Sequence, residues 1–113
     1  MRTTIFVTAQ FVALHAWPNC QIVEVEFLRH PHRHVFHVRV EFKVNHVDRD
    51  LEFFVMQRRL QDILHGFPYD LGSRSCEMLC VEIHDAWEWT GQRYIASVTV
   101  SEDGENGATV YWD

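Results

Sequence analysis

Hydrophobic and polar positions alternate from residue 3 to residue 15, with Ile5, Val7, Ala9, Phe11, Ala13 and His15 on one side and Phe6, Thr8, Gln10, Val12 and Leu14 on the other. A period of two predicts a β-strand that delivers His15 at its end. Trp17-Pro18-Asn19 stops it, because proline removes a ladder donor and asparagine favours a turn. A loop follows, with a short strand expected at 22–27. Residues 32–45 alternate again. His32, His34, Phe36, Val38, Val40, Phe42 and Val44 share one face, and Arg33, His37, Arg39, Glu41 and Lys43 the other. The period then changes. Phe53, Met56, Leu60, Ile63 and Leu64 recur at helical spacing over 51–64, and His65-Gly66 before Pro68 ends that helix. Ser75 is a good N-cap for a second helix, with Glu77 near its positive end and a buried stripe of Cys76, Leu79, Cys80, Ile83 and Trp87. Residues 93–101 and 108–112 read as two more strands around the turn EDGENG.

The order is therefore ββααββ. It predicts an α+β domain, residues 1–113, with a four-stranded antiparallel sheet and two helices on one face. A sheet this small has unpaired edges, and closure by further subunits is the expected remedy.

A chain of 113 residues supports one modest core, and 47% hydrophobic with 23% charged residues is ordinary for a globular domain. No 18-residue apolar run is present, so neither a membrane span nor a secretory leader is expected, and the reading is cytoplasmic. Three cysteines without regular spacing make a poor disulfide framework, and Cys76 and Cys80 read as small core residues. The net charge of −6 speaks against a nucleic-acid partner. Only Arg29, His30, Arg33, His37, Arg39 and Lys43 form a basic stretch, suited to an anionic small molecule or simply to a solvated strand face.

The chemistry lies in the histidines. His32 and His34, two apart in a strand, point the same way at ~7 Å spacing, and His15 on a neighbouring strand supplies a third imidazole. Three neutral imidazoles suit zinc and leave a fourth tetrahedral position open. The alternative is that these are ordinary histidines in a chain holding eight.

Four ordered segments, FVALH (11–15), HRHVFHVRV (32–40), SCEML (75–79) and VTVSEDGENG (98–107), resemble the 6-pyruvoyl-tetrahydropterin synthase and 6-carboxytetrahydropterin synthase family. The resemblance spans most of the chain. It implies the tunnelling fold, Zn2+ held by His15, His32 and His34, and Glu102 as the anchor of a pterin-like or purine-like ligand. It also implies a homo-oligomer, a hexamer or similar ring, whose sheets join into a barrel.

The family's activity would make the chain a zinc-dependent carbon-oxygen lyase on dihydroneopterin triphosphate, with Arg29 or Lys43 meeting the triphosphate. Departures stand beside this. The family's cysteine just before H-x-H is missing from VEVEFLRHPH, which leaves Cys20 as its stand-in. The family's Asp-His pair between the helices is missing from HGFPYDLGSRS, which leaves His65, Asp70 or the His84-Asp85 step as replacements. Those losses favour a non-catalytic protein that binds or sequesters the ligand; an interaction protein whose histidines merely pack is the third reading. The shortened connection resembles a short divergent branch of the family found also in bacterial viruses, near queuosine-type deazaguanine metabolism.

Overall fold

β1 (Thr3–His15) and β2 (His32–Val44) run antiparallel over their full lengths, from Thr3 opposite Val44 to His15 opposite His32. The computed structural model describes residues 1–113, with side chains at every position except 89 and 90. After β2 come α1 (Phe53–His65), α2 (Cys76–Ala86), a short α3 (Trp89–Gln92), β3 (Ile95–Glu102) and β4 (Asn106–Tyr111). The sheet order is β1-β2-β3-β4, all antiparallel, so β1 and β4 are its edges.

The period-two pattern decides which face is covered. Phe36, Val38, Val40 and Phe42 of β2 are all within 1% of complete burial. They pack beneath Met56, Leu60 and Leu64 of α1 and Leu79, Cys80 and Ile83 of α2, together with Val98 and Val100 of β3. Each such side chain contributes about 1.5–3 kcal/mol by leaving water. The opposite face keeps Thr8, Gln10, Arg33 and Arg39, and its Phe6 is covered by the Arg39 guanidinium 4.2 Å above the ring.

Capping follows the expected chemistry. The Ser75 hydroxyl accepts from the Met78 amide at 3.1 Å, and the Glu52 carboxylate accepts from the Val55 amide at 2.8 Å, starting α1 two residues later than the periodicity predicts.

Two expectations need correction. Residues 22–27 are not a strand; Val23–Arg29 is a 3-10 helix with no buried residue. Its alternation has no neighbouring strand to pair with, and local bonds such as Val25 N–H to Ile22 O and His30 N–H to Phe27 O satisfy the backbone instead. The helix pair also gains α3, which ends at Gln92, and Arg93 and Tyr94 form the turn that follows it, so the strand opens at Ile95.

Two local features set up the site. The connection between α1 and α2 lies along the last turn of β1. The Leu14 amide donates to Tyr69 O, the Leu71 amide to Leu14 O and the Ala16 amide to Gly72 O, a single parallel bridge. The β3–β4 turn places Asp103 at φ 56° and Gly104 at φ 71°, as a turn of the I′ kind requires, and is closed by Glu105 N–H to Glu102 O. Just beyond it Gly107 passes so close to β3 that a Cβ there would lie 2.3 Å from Val100 O.

Candidate metal centre and ligand cleft

His15 ends β1, and His32 opens β2 directly opposite it, with His34 one pleat further on; Ala13, small and fully buried, faces His34 and leaves its ring room. The ring centroids of His15 lie 4.6 Å from those of His32 and 5.3 Å from those of His34, and His32 and His34 are 4.9 Å apart. The Phe36 ring lies against two of them, perpendicular to His15 at 5.2 Å and to His34 at 5.9 Å between centroids. One ligand atom from each of the three lies within 4.8 Å of the other two.

Tautomers are set by neighbours. His15 Nδ1 meets the Arg74 carbonyl at 3.0 Å, His32 Nδ1 meets the His30 carbonyl at 2.9 Å, and His34 Nδ1 meets Asp103 Oδ2 at 2.7 Å. Those oxygens only accept, so each Nδ1 carries a proton, and in the neutral ring each Nε2 keeps a lone pair. Holding the remote nitrogen by a carbonyl or carboxylate is how metal-ligating histidines are oriented. His15 Nε2 is buried and has no hydrogen-bond partner, which a cation at that point would correct. The donor set therefore fits a metal of zinc's kind.

Asp103 escaped the sequence reading because a turn explains the Asp-Gly step by itself. Its carboxylate bonds His34 and also accepts from the Val35 amide at 2.9 Å, while its own amide donates to Val35 O at 2.7 Å. The His34 hydrogen bond holds its acidity strengthened, with the pKa below the usual carboxylate value. Replacing Asp103 with Asn leaves the turn but weakens this buttress. Metal affinity measured by chelator competition is expected to drop by about 10- to 100-fold, with one site per chain retained.

The rings open on a cleft of about 440 Å³ whose walls include Trp17, Leu28, Ser75, Cys76, Met78 and Glu102. Its size and largely apolar lining suit a small heterocycle. Glu102 turns its carboxylate toward the triad, with Oε1 3.1 Å from His15 Nε2 and Oε2 3.4 Å from His34 Nε2. The Cys76 thiol lies 3.9 Å from Glu102 Oε1; burial, then the Glu102 charge, pushes it up to about 12, so it is a neutral donor at ordinary pH.

The remaining sequence candidates lie elsewhere. Cys20 is 1% exposed, with its Sγ 3.8 Å from the carbonyls of Ile22 and Val25, and is not part of the cleft wall. Exposed His65, at the end of α1, borders a different concavity with Thr8, Gln10 and His37. His84 bonds Asp85 at 2.9 Å and stacks 4.0 Å from the Trp112 ring, roughly 12 Å along α2 from Cys76. Asp70 caps its own turn through the Gly72 amide. Arg29 directs its Nε to Cys20 O at 2.7 Å. Lys43 sits nine residues along β2 from His34, about 30 Å away.

Comparison with protein-family models and with curated proteins finds no match. Solved structures do match. One is the 6-pyruvoyl tetrahydropterin synthase of Caenorhabditis elegans, at a TM-score of 0.73 and 12% identity, covering 100% of this chain and 97% of that one. The chain has the tunnelling fold. An uncharacterized protein from Wolinella succinogenes shares it at a TM-score of 0.74 and 12% identity, covering 100% and 99% of the two chains. At such identity the likeness concerns the tunnelling fold and not the reaction. No helix among the described residues is long and apolar enough to cross a membrane.

Proposed function

We propose that this chain is a zinc protein of the pterin-synthase kind, holding the metal at His15, His32 and His34 and a pterin-like or purine-like heterocycle in the adjoining cleft. The observation that carries the reading is the set of three Nδ1 hydrogen bonds, to Arg74 O, His30 O and Asp103, in three imidazoles whose ligand atoms lie within 4.8 Å of one another. When bound, zinc would act there as a Lewis acid on an oxygen of the ligand's side chain. The chain's own part is to orient and to enclose. Trp17, Leu28 and Met78 offer apolar surface to a planar ring, and Glu102 is a carboxylate able to accept two parallel hydrogen bonds from a ring N–H and an exocyclic amine. Assembly through the β1 and β4 edges into a hexamer or similar ring belongs to the same reading.

A lyase acting on dihydroneopterin triphosphate and a non-catalytic binder share this site. The binder reading draws on the positions of two candidate groups: Cys20 is buried against carbonyls and His65 borders another concavity. A general base must come within hydrogen-bond reach of its proton. The test uses the zinc-loaded protein with neopterin followed by its fluorescence, and with dihydroneopterin triphosphate followed for product. Saturable binding of about one neopterin per chain, without turnover of the triphosphate, is the expected result. Turnover establishes the lyase, and absence of binding by any pterin or purine removes the heterocycle from the assignment.

A further inference from the structure

Glu102 brings its carboxylate to 3.1 Å from His15 Nε2 and 3.4 Å from His34 Nε2, two of the three imidazoles of the triad. We propose that in the ligand-free protein the Glu102 carboxylate completes the metal site, so that the three-histidine centre is closed by the chain itself and an incoming ligand must displace this carboxylate. The inference rests on the metal reading above and adds an occupant for the position that a three-histidine site leaves open.

The distances carry it. Zinc bonds of about 2.0–2.1 Å at tetrahedral angles separate neighbouring ligand atoms by roughly 3.3 Å. Glu102 Oε1 lies 3.1 Å from His15 Nε2, and Oε2 lies 3.4 Å from His34 Nε2. With the protons of His15 and His34 committed to Arg74 O and Asp103, these are pairs of acceptors facing each other. Between neutral rings and a carboxylate, lone pairs at that separation repel, and one cation held among them satisfies both pairs at once.

Placement of the carboxylate is built into the backbone. Glu102 is the last residue of β3, in register with Phe36 of β2 and Asn106 of β4, and the adjoining Asp103 is tied to His34 and Val35. The Cys76 thiol donates toward Oε1 at 3.9 Å. Charge points the same way. Three neutral imidazoles leave a divalent ion's full charge beside His15, which is 8% exposed, and one carboxylate halves it.

Cobalt(II) serves as the probe, because its visible absorption reports coordination without any turnover. Wild-type protein is expected to take up about one cobalt per chain with a four-coordinate spectrum that millimolar azide does not alter. Glu102→Ala is expected still to bind about one cobalt, at least tenfold more weakly by chelator competition, and its spectrum shifts on adding azide because the fourth position is now open. Glu102→Gln should fall between the two. A wild-type spectrum that already responds to azide overturns the proposal without recourse to any variant. So does unchanged cobalt affinity in a folded Glu102→Ala protein. Both results leave the triad intact, whereas a wild-type protein that binds no cobalt removes the metal reading itself.

Discussion

Replacing His15, His32 and His34 together by alanine is expected to abolish zinc binding: wild-type protein supplied with zinc should carry about one ion per chain by elemental analysis, and the triple variant none above background. The expectation follows from how completely the other ring nitrogens are engaged. Each Nδ1 is committed to Arg74 O, His30 O or Asp103, so the nitrogens left to a metal are the three Nε2 atoms, and alanine removes all of them. A thermal signature accompanies the loss. With free zinc at a hundred times its Kd, binding stabilises the folded chain by about 2.7 kcal/mol. For a domain of this size that raises Tm by roughly 10–20 °C. The triple variant should show no such rise. Equal zinc content in the two proteins would place the metal at other residues and return these histidines to a packing role.

The second large effect is on the fold itself. Phe36→Ala is expected to lower unfolding free energy by about 3–5 kcal/mol, measured by urea denaturation of the metal-free protein. Phe36 is wholly buried at the centre of β2, stacked 5.3 Å from Phe11, with the rings of His15 and His34 standing edge-on at 5.2 Å and 5.9 Å. Truncation leaves a ring-sized void under the histidines, which neighbours in a paired sheet fill only in part. That loss is a large share of the 5–15 kcal/mol typical of small domains. Zinc affinity should fall with it, since the triad loses its floor, and Phe36→Leu should recover most of the stability. A loss below about 1 kcal/mol for Phe36→Ala would mean that the site collapses freely and that the ring does not hold the histidines in place.

Both predictions depend on residues legible in the chain before any fold was known. Alternation through 3–15 and 32–45 is a property of the β-strand's own period, so it assigned His15, His32 and His34 to covered faces without knowledge of their neighbours. Ser75 could be recognised for a similar reason, because an N-cap bond reaches only to Met78, three residues away. The same locality misled at 22–27, where VEVEF alternates as a strand would. A strand needs a partner ladder, and whether one lies alongside is not written in the segment itself.

What the sequence by itself determined, then, is the order of elements and the presence of three imidazoles at the ends of two strands, since both follow from periodicity and short-range bonding. Only the tertiary structure decided what those imidazoles face. Two of the three acceptors that orient them are backbone carbonyls, Arg74 and His30, which every residue type possesses and which no side-chain pattern can announce. The third, Asp103, is explained locally by its turn and acquires its second task only when β3 pairs with β2. Glu102 is the clearest case. Its carboxylate might have pointed to solvent from a turn, and it is strand pairing with Phe36 and Asn106 that aims it at the triad, 3.1 Å from His15.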